Sequence, residues 1–188
     1  MTIKTEVSRF HIHDELTAPE GSAPIIKSIQ TAGGAVSKFL GVLAESTPAL
    51  RAYTRMRAEL RAGSLPRETR ERIGLAVAEH RGDEYSIAMY ARTARAAGLG
   101  LDEVERARKF TSSDEREATL LALLKETLEA DGRPPHHLVE EAREADWTDE
   151  QILEAVAELA LAEFQSLIAS AAELPLESSD PAVLRSAA

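Results

Sequence analysis

The stretch ERIGLAVAEHRGDEYSIAMYARTARAAG, residues 71–98, reads as two helices joined at a glycine. At about 100° of rotation per residue, Ile73 and Val77 form the apolar stripe of the first helix, and Glu68, Arg72 and Glu79 its polar stripe. Glu71 belongs to neither stripe. It sits on a flank of small residues, Gly74 and Ala78, where another helix can approach closely. Gly82 ends this helix, and Asp83, one of the best N-cap residue types, opens the next. On the second helix Asp83, Ser86, Ile87, Tyr90, Ala94 and Ala97 share one face, opposite Glu84, Arg92 and Arg95. The apolar members turn that face inward and carry Asp83, Ser86 and Tyr90 with them, in a row about two turns long. The short Arg81–Gly82 turn makes the helices neighbours, so Glu71 can face the row. A carboxyl desolvated there has a raised pKa.

Each of these residues also has a purely structural reading. Asp83 serves as an N-cap, Ser86 as a first-turn residue, Tyr90 as a core aromatic with a satisfied hydroxyl, and Glu71 as a helix-flank glutamate. His80 lies at the edge of the core stripe, a packing position.

Outward from this pair the chain continues as helices. Toward the N-terminus, Thr47-Pro48 is a helix start with Thr47 as N-cap, followed by Leu50, Tyr53, Met56, Arg57 and Leu60 at helical spacing. Gly63-Ser64-Leu65-Pro66 separates that helix from the central pair. A short pattern at Ile25, Ile26 and Ile29 is broken by Gly33-Gly34. Toward the C-terminus, a short helix covers roughly residues 102–110 and another roughly 135–146. Ser112 with Glu115 and Thr148 with Gln151 fit capping boxes. The second box opens the longest helix, whose expected stripe is Ile152, Val156, Leu159, Leu167 and Ile168, with Ala160, Phe164 and Ala171 alongside; Pro175 ends it. No window alternates with period two long enough for a strand, so the fold class is all-α. The organisation is an arm over 1–22, whose Val7, Phe10, Ile12 and Leu16 are available for packing, one helical domain over 23–175, and a tail over 176–188.

The chain has 188 residues, the size of one domain. Lys and Arg number 22 and Asp and Glu 32, a net charge of 22 − 32 = −10, which argues against nucleic acid and anionic membrane as partners. No apolar run approaches the ~20 residues of a membrane span, and the start of the chain is unlike a signal peptide. Cysteine is absent, which excludes disulfides, thiol nucleophiles and thiolate metal sites. A cytoplasmic location is expected. Glu71, Asp83 and His80 lack a tight ligand motif, and His11, His13, His136 and His137 lie in loops or at a helix end, so no metal and no cofactor is assigned.

Residues 71–90 resemble the core of the alkylhydroperoxidase D/carboxymuconolactone decarboxylase superfamily. In its peroxidase branch a glutamate is followed by eleven residues, a cysteine, two residues, a cysteine, three residues and a histidine. Glu71 takes the glutamate position, Asp83 and Ser86 the two cysteines, and Tyr90 the histidine. Residues 91–99, 40–53, 114–118 and 147–152 extend the resemblance, which covers roughly 24–175. It implies an all-helical fold, assembly as homo-trimers or homo-hexamers, and a site near subunit contacts. It also implies a label of peroxiredoxin or alkylhydroperoxidase activity, in which a helix-N-terminal thiolate attacks a hydroperoxide, a second cysteine closes a disulfide, and glutamate and histidine relay protons. Here a carboxylate, a serine and a tyrosine replace the sulfur and imidazole groups, so thiol peroxidase chemistry is not expected.

Two readings follow. The first is a small-molecule-binding or scaffold oligomer on the old frame. The second is a non-thiol acid–base enzyme, with Glu71 or Asp83 as base, Tyr90 as donor and Ser86 positioning, for proton abstraction, lactone opening or decarboxylation.

Overall fold

A computed structural model describes residues 8–177, and among these the regular structure is nine helices and no strand. They are α1 (Ala23–Thr31), α2 (Lys38–Leu43), α3 (Thr47–Ala62), α4 (Arg67–Arg81), α5 (Glu84–Ala96), α6 (Leu101–Ala107), α7 (Glu115–Glu129), α8 (His136–Glu144) and α9 (Asp149–Ala172). The central pair forms as its sequence dictates. Gly82 adopts the left-handed region (φ 62°), and the N–H groups of Gly82 and Asp83 fold back onto the carbonyls of Glu79 and Ala78. Asp83 then caps α5, its Oδ1 accepting from the Ser86 N–H at 3.3 Å.

Helix α4 is the hub, packed against α5, α6 and α9. Its two apolar sides serve different cores. Ile73 and Val77 join Leu120, Leu124, Trp147, Ile152 and Leu159 of α7, α9 and the α8–α9 turn. Leu75 and Ala78 join Tyr90, Ala94, Leu99 and Val104 around α5 and α6. A third core, built by Ile26, Phe39, Leu50, Tyr53, Tyr85, Leu161 and Ala169, ties α1–α3 to α5 and α9. Gly74 sets the α4–α5 spacing, because a Cβ there would overlap the Tyr90 ring.

Several expectations are corrected. Ser46, not Thr47, caps α3, accepting from the Ala49 N–H at 3.4 Å. The Ser112–Glu115 box does not form: Asp114 caps α7 instead, and the Ser112 hydroxyl donates to Glu103 at 2.7 Å. A carboxylate one residue from the helix start outcompetes the more distant serine for the same N–H groups. The box at Thr148 and Gln151 forms as expected. On α9 the buried face is Ile152, Ala155, Glu158, Leu159, Leu161, Ala162, Gln165, Ser166 and Ala169, whereas Phe164 and Leu167 face outward, Leu167 being 56% exposed. The arm docks through His13, whose N–H donates to the Gly41 carbonyl and whose ring nitrogens lie 2.8 Å from the Thr17 carbonyl and 2.6 Å from Glu45 Oε2. Phe10 and Leu16 are exposed; Val7 lies outside the described residues, as does the tail beyond residue 177.

Candidate functional site

Between α3, α4, α5 and α9 lies a narrow cavity of about 30 Å³. Helix α3 contributes Tyr53, Arg57 and Arg61; α4 contributes Arg70 and Glu71; α5 contributes Met89, Tyr90 and Thr93; α9 contributes Glu158 and Leu161. Its volume suits one or two waters, or the head of a ligand whose remainder lies outside.

The structure brings Glu71 and Tyr90 together on this cavity. The Thr93 hydroxyl donates to Glu71 Oε2, which orients the carboxylate. Burial holds the Tyr90 hydroxyl well above its ordinary pKa, with Tyr53, Glu158 and Glu71 adding to the effect against Arg57, so it stays protonated and remains a donor. Asp83 and Ser86 are buried but do not line the cavity. A hydrogen-bond chain connects Ser86 to it: the Tyr53 hydroxyl donates to Gln165 Oε1 at 2.7 Å, and Gln165 Nε2 donates to Ser86 Oγ at 3.2 Å, lying 3.5 Å from Met89 Sδ. Asp83 Oδ2 is buried without a partner. His80 is exposed beside the Phe110 ring and does not line the cavity.

The residues that sequence reading missed come from the flanking helices. Arg57 entered only as part of a periodic stripe; Arg61, Arg70, Glu158 and Gln165 did not enter at all. The available signal was polarity on α9: Glu158 and Gln165 are seven residues apart, the repeat of one helix face, in an otherwise alanine- and leucine-rich helix.

The electrostatics are unbalanced. Burial raises the Glu158 carboxyl, and Glu71 adds to the rise, while Arg70, Arg57 and Arg61 oppose it. Burial lowers the Arg61 guanidinium, as do its like-charged neighbours Arg57 and Arg70, against the opposing pull of Glu71 and Tyr53. Among the described residues none of these three arginines forms an ion pair within 4 Å with Glu71 or Glu158, and Glu158 makes no hydrogen bond. A larger hollow of about 560 Å³ beside α6 is an open surface feature. Its Glu103 and Ser113 bond to each other and its helix has seven residues, so the narrow cavity is the better candidate.

No group of three or more metal-ligating side chains occurs among the described residues, and no described helix is long and apolar enough to cross a membrane.

Fold and cavity together define an all-helical protein with a narrow, charged site between four helices. Residues 47–129 match the Carboxymuconolactone decarboxylase family. The fold matches an uncharacterized peroxidase-related protein from Silicibacter sp. TM1040 (TM-score 0.78, 19% identity, 96% of each chain covered). It also matches an alkylhydroperoxidase AhpD core, an uncharacterized peroxidase-related protein from Ralstonia eutropha JMP134 (0.80, 18%, 95% of each). A third match is a cysteine-to-alanine variant of the debrominase Bmp8 in complex with 2,3,4-tribromopyrrole (0.72, 18%, 89% of this chain and 93% of that one). No curated protein matches the chain in sequence. The chain has the all-helical fold of these proteins, and its segment from α3 to α7 matches the carboxymuconolactone decarboxylase family. It contains no cysteine, so the thiol chemistry of the peroxidase branch is not open to it.

Proposed function

We propose that this chain is a non-thiol member of the alkylhydroperoxidase D/carboxymuconolactone decarboxylase superfamily and that it binds a small molecule at the cavity between α3, α4, α5 and α9. The observation that carries this reading is Glu158, buried and, among the described residues, unbonded beside three arginines that no carboxylate pairs within 4 Å. Unpaired buried charge is destabilising, and a scaffold would replace it with apolar packing at no loss. Met89 offers a reporter at the cavity. In protein labelled at the methionine methyls, fragments from a library of mixed charge are expected to shift the Met89 resonance. If no fragment of any charge moves it, the reading fails.

The second reading, a non-thiol acid–base enzyme, is favoured by Glu71 and Glu158 sharing one cavity with the Tyr90 donor. Neighbouring carboxylates with pKa values pushed apart supply an acid and a base. In this reading Glu71, which lines the cavity, is the base ahead of Asp83, which does not, Tyr90 is the donor and Ser86 a positioning group, and the chemistry is proton abstraction, lactone opening or decarboxylation. Once a substrate is found, Glu71→Gln is expected to abolish turnover and Asp83→Asn to lower it less; rates unchanged in both dispose of the enzyme.

Self-association, as a homo-trimer or homo-hexamer, is part of the proposal. Its support is the outward face of α9, where Leu153, Phe164 and Leu167 are exposed at helical spacing. Light scattering is expected to report a multiple of one chain's mass at micromolar concentration; a single-chain particle contradicts it.

A further inference from the structure

We infer that the cavity takes the carboxylate end of a small organic acid, with Arg57, Arg61 and Arg70 supplying the positive charge. The inference rests on the small-molecule reading and names the class of ligand.

Charge count is the first support. Three guanidiniums face two carboxylates, so the cavity carries 3 − 2 = +1 when both acids are ionised, and more when Glu158 holds its proton. In either protonation state of Glu158 an anion lowers this excess, whereas a cation or a neutral molecule does not. The chain as a whole is strongly acidic, so this positive spot runs against the charge of the rest of the molecule.

Donor count is the second. Arg70 is fixed by its Nη1 donating to the Leu65 carbonyl at 2.5 Å, and more weakly to that of Leu60 at 3.5 Å. The Arg57 Nη1 reaches the Tyr53 hydroxyl at 3.5 Å. Arg61 forms no hydrogen bond or ion pair among the described residues. An arginine has five N–H donors, so most of the donors at this cavity are unused; a planar carboxylate with two oxygens is the acceptor they match.

Glu158 is the third. The residue is 9% exposed, lines the cavity and has no hydrogen-bond partner among the described residues. Protonated, it donates to a ligand oxygen; ionised, it repels one. Its environment favours the protonated form over that of an ordinary glutamate. The size of the cavity admits a head group only, so the rest of the acid extends toward the surface past Arg61, which is exposed.

The test titrates acetate, propionate and benzoate, and in parallel acetamide, propionamide and benzamide, into the methionine-labelled full chain at constant ionic strength. The acids are expected to shift the Met89 methyl saturably and at least tenfold more tightly than their amides. Arg61→Gln, at an exposed position that does not threaten folding, is expected to weaken the acids at least tenfold, and Arg61→Lys less so. Amides that bind as well as acids overturn the carboxylate assignment while leaving the small-molecule reading intact. Acids that bind equally to wild type and to both Arg61 variants overturn the arginine assignment. A Met89 methyl that responds to no acid, no amide and no other fragment overturns both.

Discussion

Helix α4 carries buried or half-buried charge on two sides, and the two sides are built differently. Toward α6 and α7, Arg72 lies 3.3 Å from Glu103 and 3.6 Å from Glu117. Thr69 donates to Glu117 at 2.7 Å, and Ser112 and Ser113 donate to Glu103. Only Arg72 Nε and Glu117 Oε2 are left over in that cluster. Toward α3, α5 and α9, three arginines and two glutamates line one small cavity without a single pair within 4 Å. The first arrangement locks helices together. The second keeps its charges apart around a space, and on that difference the proposed ligand site rests.

This contrast can be broken by substitution. Arg72→Ala removes the cation shared by buried Glu117 and half-buried Glu103 and is expected to cost about 3 kcal/mol in urea unfolding. A loss under 1 kcal/mol would mean that the cluster is not structural. Gly74→Ala pushes a methyl into the Tyr90 ring and separates α4 from α5; about 2–3 kcal/mol of destabilisation is expected in the same assay.

The paired cluster also has a pH signature. Burial pushes the Glu103 carboxyl up, but the Ser113 and Ser112 hydroxyls, the Ser113 N–H and Arg72 outweigh it and hold it at about 2, below the ordinary 4.5. A depressed carboxyl contributes stability that is full above the unfolded value and lost as pH falls from there toward the folded one. The stability difference between wild type and Glu103→Gln is therefore expected to be about 1–2 kcal/mol near neutrality, allowing for solvent contact, and to shrink as pH falls through 4 toward 2. A gap that is constant over this range contradicts the assignment.

The smallest effect belongs to the cavity. Arg61 is lowered by burial and by its neighbours Arg57 and Arg70, so Arg61→Gln is expected to change stability by less than about 0.5 kcal/mol, or to raise it. A large loss would show that Arg61 is paired in solution.

Legibility in the sequence followed the same division between local and long-range causes. Where a helix end is decided within four residues, as at Gly82-Asp83 or Thr148-Gln151, the pattern is enough. Helix α2 was not anticipated as a separate element, because Phe39, Leu40, Gly41, Val42 and Leu43 are all buried and leave no polar side for a period to show. The stripe of α9 was misjudged for a related reason. The helix is apolar nearly all round, and the larger residues Phe164 and Leu167 lie outside while Gln165 and Ser166 lie inside. Glu71 and Tyr90 were placed through the central pair, since both belong to helices joined by a two-residue turn. Arg57, Glu158 and Gln165 reach the same place through α3 and α9, whose docking depends on three cores and on no short-range spacing.

The unpaired state of Glu158 can be read without any ligand. Following the side-chain carboxyl by carbon NMR through a pH titration, with Glu158→Gln to assign the signal, should give a midpoint above the ordinary glutamate value of 4.5. A midpoint at or below 4.5 would mean that Glu158 is paired with an arginine, and that the cavity is a closed ion-pair cluster rather than a site awaiting its partner.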